Sequence, residues 1–228
     1  MVTTIKKMNS QLYNPAFVFV SNGEVYIADR SNHRVRKVLQ SGQIVTIAGT
    51  GIAGYNGDGQ PATNAHLHYP QAVFVSSQNE VYISENGNHR VRKILQNGNI
   101  VTVAGTGVQG FNGDNIPATS AQLSSPYGIF VSDDDELYIA DCSSRRVRKV
   151  LKNGNIITVA DSFQTPIGVY VLKNQVYVCD QGGQCIKKID SNGVITTIAG
   201  NGIGGGYNVE YPWGDGGLAT NAVLAEPI

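Results

Sequence analysis

Apolar residues in this chain fall in short, roughly alternating runs rich in Val, Ile, Tyr and Phe, each closed by an Asn/Gly or Ser/Gly turn. That composition and period predict strands rather than helices. Residues 15–48 read as four of them: Pro15 to Val20, Glu24 to Ala28, His33 to Leu39 and Gln43 to Ala48. The first turn, Ser21 to Gly23, and the last, Ser41 with Gly42, are too short for anything but antiparallel reversal, so the unit is a four-stranded meander.

The same four slots recur over residues 70–104, 126–160 and 166–199. The step is a true period. His33 and His89 stand 56 residues apart (89 − 33), as do His89 and Arg145 (145 − 89), and Gln184 follows after 39 (184 − 145). The shorter step reflects a missing connection between Ala160 and Pro166. Residues 200–228 read as a connecting segment leading into a further unit, and Val2 to Ile5 as the outer strand of a preceding one. A lone four-stranded sheet with two apolar faces must stack on neighbours, and radial stacking of such blades makes a β-propeller.

Within each unit a motif returns: Asp29-Arg-Ser-Asn-His-Arg-Val-Arg-Lys-Val-Leu39, then Glu85 to Leu95, then Asp141 to Leu151, with a weaker copy from Asp180 to Asp190. Long connections also repeat, as Gly-Asp-Gly-x-x-Ala-Thr-x-Ala-x-Leu-x-x-Pro. Together these segments resemble NHL repeats, a propeller family, in the subtype with Gly-Asp-Gly-x-x-Ala-Thr connections. The resemblance covers nearly all of residues 2–228 and implies an all-β propeller of NHL type, four complete four-stranded antiparallel blades plus partial units at both ends. It departs at Gln184 and Cys185, which replace His-Arg, and at the short fourth connection. Such propellers typically close with six blades, so the ring closes with more chain, which the resemblance favours, with another chain as an arc, or with four blades alone. Four stacked blades expose two apolar faces, which predicts self-association of the isolated chain.

Composition fits. Across 228 residues there are 27 glycines and 41% hydrophobic residues, with 17 basic against 17 acidic side chains. A formal charge of zero gives no global field toward nucleic acid or anionic lipid. No run approaches the roughly 18 apolar residues of a membrane helix, so no membrane insertion is expected. No apolar stretch follows the lysines at the start, so no signal peptide is visible, and the compartment is left open. Cys142, Cys179 and Cys185 are expected as free thiols, although a Cys179–Cys185 bridge across one hairpin is the alternative.

Two sets of residues carry candidate chemistry. The acids Asp29, Glu85, Asp141 and Asp180 recur beside the pairs Arg34 and Arg36, Arg90 and Arg92, Arg146 and Arg148. Residues two apart on a strand share a face, so each pair is either a phosphate-binding fork or, as recurrence with the acids favours, part of a network tying blades together. In the connections an aromatic precedes each Gly-Asp: Tyr55 with Asp58, Phe111 with Asp114, Trp213 with Asp215. These six are the candidate ligand contacts, since loops on a rigid frame carry binding groups; the aspartates could instead cap the turn formed by Ala-Thr-x-Ala-x-Leu, which should drop Leu67, Leu123 and Leu224 onto the core.

Other motifs carry less. Asn32-His33 and Asn88-His89 suggest a metal or a general base, but their spacing supplies no convergent ligand set, and turn capping is the better account. Gly49 to Gly54 and Gly105 to Gly110 match Gly-x-Gly-x-x-Gly outside any βαβ context, and Asp133 to Asp135 lack the spaced oxygens of a calcium loop. No metal or cofactor is therefore expected. The sequence points to a non-catalytic recognition module that binds a protein, peptide or glycan through its loop rim. The alternatives are a metal-dependent enzyme of the lactonase or lyase sort, and a binder of single-stranded RNA, the last disfavoured because acids accompany the arginines.

Overall fold

A computed structural model describes residues 11–204 and 216–227. Blade 1 consists of β1 (Phe17–Ser21), β2 (Glu24–Asp29), β3 (Arg34–Val38) and β4 (Ile44–Ala48). Blade 2 consists of β5 (Pro70–Val75), β6 (Val81–Glu85), β7 (Arg90–Ile94) and β8 (Ile100–Ala104). A two-residue strand, β9 (Ile116–Pro117), precedes blade 3, which holds β10 (Pro126–Val131), β11 (Leu137–Asp141), β12 (Arg146–Val150) and β13 (Asn155–Ala160). Blade 4 holds β14 (Pro166–Leu172), β15 (Gln175–Asp180), β16 (Cys185–Ile189) and β17 (Ile195–Ala199). Every blade is an antiparallel meander in chain order, and β9 adds a fifth strand to the outer edge of blade 3.

The inner strands lie side by side, β1 on β5, β5 on β10 and β10 on β14, so the sheets fan about one axis instead of running in a line. Between blades 1 and 2, Tyr26, Ala28, Val35 and Ala48 bury against Val73, Val75, Ile83 and Ile100. Alternation along each strand gives every blade two such apolar faces. An aromatic ladder crosses all four: ring centroids of Phe19 and Phe74 are 4.6 Å apart, Phe74 and Phe130 5.1 Å, Phe130 and Tyr170 5.0 Å.

The long connections wedge between sheets. Ala62–Asn64 and Ala118–Ser120 each form one 3-10 turn, as does Ala219–Asn221. The small alanines let the turn enter a gap between sheets, and Leu67 and Leu123 are wholly buried behind it, each stabilising by roughly 1.5–3 kcal/mol. Leu224 is half-buried.

Three details depart from the expected pattern. The third strand starts one residue later than the motif suggests, because His33, His89, Arg145 and Gln184 adopt left-handed φ of 52°, 50°, 59° and 50° at the reversal into it. One extra residue on each outer strand, at Ile47, Val103, Val159 and Ile198, makes a bulge opposite the basic side chain of the third strand. All three cysteines are free: Cys179 stands opposite Ile186 and Cys185 opposite Asp180, so the two sulfurs project to opposite sheet faces. The strand expected at Val2 to Ile5 lies outside the described residues.

Candidate functional site

The acid that ends each second strand, Asp29, Glu85, Asp141 or Asp180, is completely buried. Each accepts a backbone N–H from the chain entering its blade: Tyr13 to Asp29 at 2.8 Å, His68 to Glu85 at 2.9 Å, Ser124 to Asp141 at 2.6 Å and Thr165 to Asp180 at 2.8 Å. Cations approach from the third strand. Arg36 lies 3.7 Å from Asp29, Arg92 3.3 Å from Glu85 and Lys187 2.8 Å from Asp180. Burial pushes Glu85 up to about 7 against the pull of Arg92, the His68 amide and Asn88. Burial likewise raises Asp141 to about 6, opposed by Ser144, the Ser124 amide, Arg148 and Arg146.

The loop residues then close over the arginines of the following blade. The guanidinium carbons of Arg90 and Arg92 lie 4.0 and 4.9 Å from the Tyr55 ring centroid, and those of Arg146 and Arg148 lie 4.1 and 4.7 Å from that of Phe111. Asp58 pairs with Arg92 at 2.7 Å and accepts from the Thr102 hydroxyl at 3.2 Å; Asp114 pairs with Arg148 at 3.2 Å and accepts from Thr158 at 3.0 Å. None of the 3-10 turns has a side-chain cap, so these aspartates face guanidinium instead of the turn's amides. A planar cation sandwiched between ring and carboxylate is attracted by both. The first arginines of the pairs bond carbonyls: Arg34 that of Thr50 at 2.7 Å, Arg146 that of Ser144 at 2.7 Å, and Arg90 that of Thr106. Trp213 and Asp215 lie outside the described residues.

Tyr55, Asp58 and Arg90 come together around a recess of about 310 Å³, completed by Thr102, Gly105, Thr106 and Thr119. One aromatic face, one carboxylate, one guanidinium and three hydroxyls can stack on and hydrogen-bond a polar ligand such as a peptide or a sugar. Beside it stands a feature the sequence reading passed over. Ile52, Val108 and Ile203 occupy the same place in the three long connections and are 59%, 57% and 56% exposed. Their signal was available as Gly-x-Gly followed by an aliphatic residue, in phase three times.

The motif histidines are half-buried and face the entry of the next blade. Nδ1 of His33 accepts the Tyr69 N–H and Nδ1 of His89 accepts the Ser125 N–H. Among the described residues, no three His, Cys, Asp or Glu side chains converge in a metal-binding group.

A buried acid and a basic side chain repeated blade after blade, with loops locking each sheet to the next, define a propeller built from copies of one unit. The family model for the Teneurin NHL domain matches residues 2–95. Human NHL repeat-containing protein 2 is 28% identical over 190 residues, covering 71% of this chain and 26% of that protein. Mouse Teneurin-4 is 27% identical over 195 residues, covering 79% of this chain and 6% of its own length. This chain thus spans about a quarter or less of these relatives. Among solved structures, catalytically inactive virginiamycin B lyase from Staphylococcus aureus with quinupristin superposes with a TM-score of 0.58 at 19% identity, over 84% of this chain and 57% of that one. At that identity the likeness is one of fold alone. These matches support a β-propeller of the NHL-repeat kind.

Proposed function

We propose that this propeller is a non-catalytic recognition module that binds a protein, peptide or glycan partner through the rim formed by its long connections. The observation that carries this reading is the recurrence, in phase, of an exposed aliphatic tip (Ile52, Val108, Ile203) with a half-exposed aromatic (Tyr55, Phe111) held on arginine. Repeated groups on one rigid rim suit multivalent contact, where linked weak contacts reinforce one another. Asp58 and Asp114 belong to the same rim, and Trp213 and Asp215 are included on the sequence repeat alone.

The internal bonding of the charged residues bears on the alternatives. The arginines that would meet RNA phosphate already bond carboxylates, carbonyls and rings. His33 and His89, the side chains best suited to proton transfer or metal ligation, each use Nδ1 on a neighbouring blade's entry. The test is binding of the chain to peptide and glycan arrays beside a variant with Ile52, Val108 and Ile203 all changed to Ser. Ligands that lose most of their signal with the variant support the rim; undiminished binding of every ligand found would overturn it.

A further inference from the structure

The connections between blades 1 and 2 and between blades 2 and 3 also form sheet structure. Each lays a short extended stretch against the outer strand of the following blade. In blade 2 the Gly59 N–H donates to the Ile100 carbonyl at 2.8 Å, the Ile100 N–H to the Gln60 carbonyl at 2.9 Å and the Ala62 N–H to the Gly98 carbonyl at 2.9 Å. In blade 3 the Asn115 N–H donates to the Ile156 carbonyl at 2.8 Å and the Ala118 N–H to the Gly154 carbonyl at 2.9 Å. Ile100 and Ile156 are fully buried as a result.

Blade 4 has the same outer edge, with Gly193 and Ile195 in register with Gly98 and Ile100, but its entry is too short to cover it. Residues 161–165 are engaged elsewhere: Phe163 is buried between the sheets, Gln164 and Thr165 donate to Asp180, and the Ser162 carbonyl accepts from Lys187. Ile195 is therefore half-exposed, and Val194 is 54% exposed. Beside this edge a cleft of about 510 Å³ opens between blades 3 and 4, with Val159, Val176 and Ile189 as apolar wall and Gly193 at its end. The equivalent recess between blades 2 and 3 is walled by Val103, Leu137 and Val150 and holds Pro117 and Thr119 of the connection.

We propose that the cleft between blades 3 and 4 is a peptide-binding site, separate from the loop rim, that receives an extended segment of a partner protein as an added edge strand on β17. The segment has proline followed by small residues, in the manner of Gln60-Pro-Ala-Thr63 and Ile116-Pro-Ala-Thr119, because those are what the two filled slots of this molecule accept. Its backbone bonds the outward N–H and carbonyl of Ile195 and the carbonyl of Gly193, and its alanine seats against Val159 and Val176. Main-chain bonds supply affinity and the apolar wall, rimmed by Glu136, Lys149 and Asp190, seats the alanine, the division of labour in β-strand addition.

The probe is a fluorescently labelled synthetic peptide with the sequence of Gly57 to Leu67, titrated into the full chain and followed by anisotropy, with a scrambled peptide as control. Saturable binding is expected, together with slowed hydrogen exchange at Ile195. Ile195→Pro removes the outward donor that the peptide uses, at an edge position that tolerates proline, and should weaken binding at least tenfold. Val159→Lys blocks the wall and should do the same without touching the edge. Replacing residues 161–165 by the Gly105 to Ser125 connection should abolish binding, because the slot is then filled. Absence of saturable binding to the unaltered chain, equal binding of the scrambled peptide, or unchanged affinity in folded Ile195→Pro and Val159→Lys variants would each overturn the proposal.

Discussion

Nδ1 of His33 accepts the backbone N–H of Tyr69 across 3.2 Å, tying the third strand of one blade to the entry of the next. His89 repeats the contact with Ser125 at 3.1 Å, and Gln184, where the motif has lost its histidine, uses its side-chain oxygen on the Glu226 N–H at 2.8 Å. Blade 3 carries Arg145 there, which has no acceptor, and blade 3 is followed by the one short connection. The motif residue is a latch that works only as an acceptor.

Acid should therefore open it. Burial first, then His68, then a neighbouring arginine lower His33 and His89 below the ordinary 6.5. A depressed folded pKa means that the latch's contribution is complete above the unfolded value near 6.5 and is lost as pH falls through the folded values. Glu85 and Asp141, raised by burial, act in the opposite direction as pH falls through about 7 and about 6. The difference between wild type and a His33→Gln, His89→Gln variant isolates the histidines. Urea unfolding at pH 7.5 and 5.5 should find the two proteins close at the higher pH and the variant more stable at the lower.

Arg92 is fully buried, paired with Asp58 and Glu85 and stacked on Tyr55. Arg92→Ala strands the Glu85 charge and should cost about 3–5 kcal/mol. Asp58→Asn leaves Glu85 as partner to the arginine at a site about one-third exposed, so about 1 kcal/mol or less is expected. Denaturant midpoints would order the two, and a reversed order would contradict the network as drawn.

Leu67 and Leu123 plug equivalent gaps between sheets, whereas Leu224 is half-buried at the outgoing face of blade 4. Leucine to alanine at either of the first two should cost about 2–5 kcal/mol through the cavity left behind. At Leu224 the loss should be distinctly smaller. Thermal and urea melts of the three single variants test this ranking.

Val18 and Val20 are 57% and 63% exposed, whereas their counterparts Val73 and Val75 in blade 2 are 0% and 4% exposed. Such a face, matched to the side of blade 4 that carries exposed Tyr170, favours head-to-tail contact between copies of the isolated chain. Sedimentation should find mass rising with concentration, and Val18→Asp with Val20→Asp should return the monomer. A concentration-independent monomer in the unaltered chain would remove this expectation.

The blades were legible because strand period, turn residues and a 56-residue spacing all agree, each reporting local chemistry. The candidate site was legible only in part. Tyr55 and Asp58 stand three apart in one connection, so their association is visible in the sequence. That Arg90 and Arg92 lie beneath them is not, because those residues are some 35 positions away and arrive through packing of one sheet on another. The left-handed turn at His33 was hidden for another reason: positive φ is uncommon in any non-glycine residue, even histidine, and the equivalent Arg145 and Gln184 adopt it too.

The contact of Pro61 with Asn99 makes the blades unequal partners. Blades 2 and 3 each receive part of their outer margin from chain that follows their predecessor, so one connection serves two sheets. Damage in one connection should bare the outer edge of the sheet downstream and also loosen its seam with the sheet upstream. During synthesis each finished unit then offers a template for the unit still emerging.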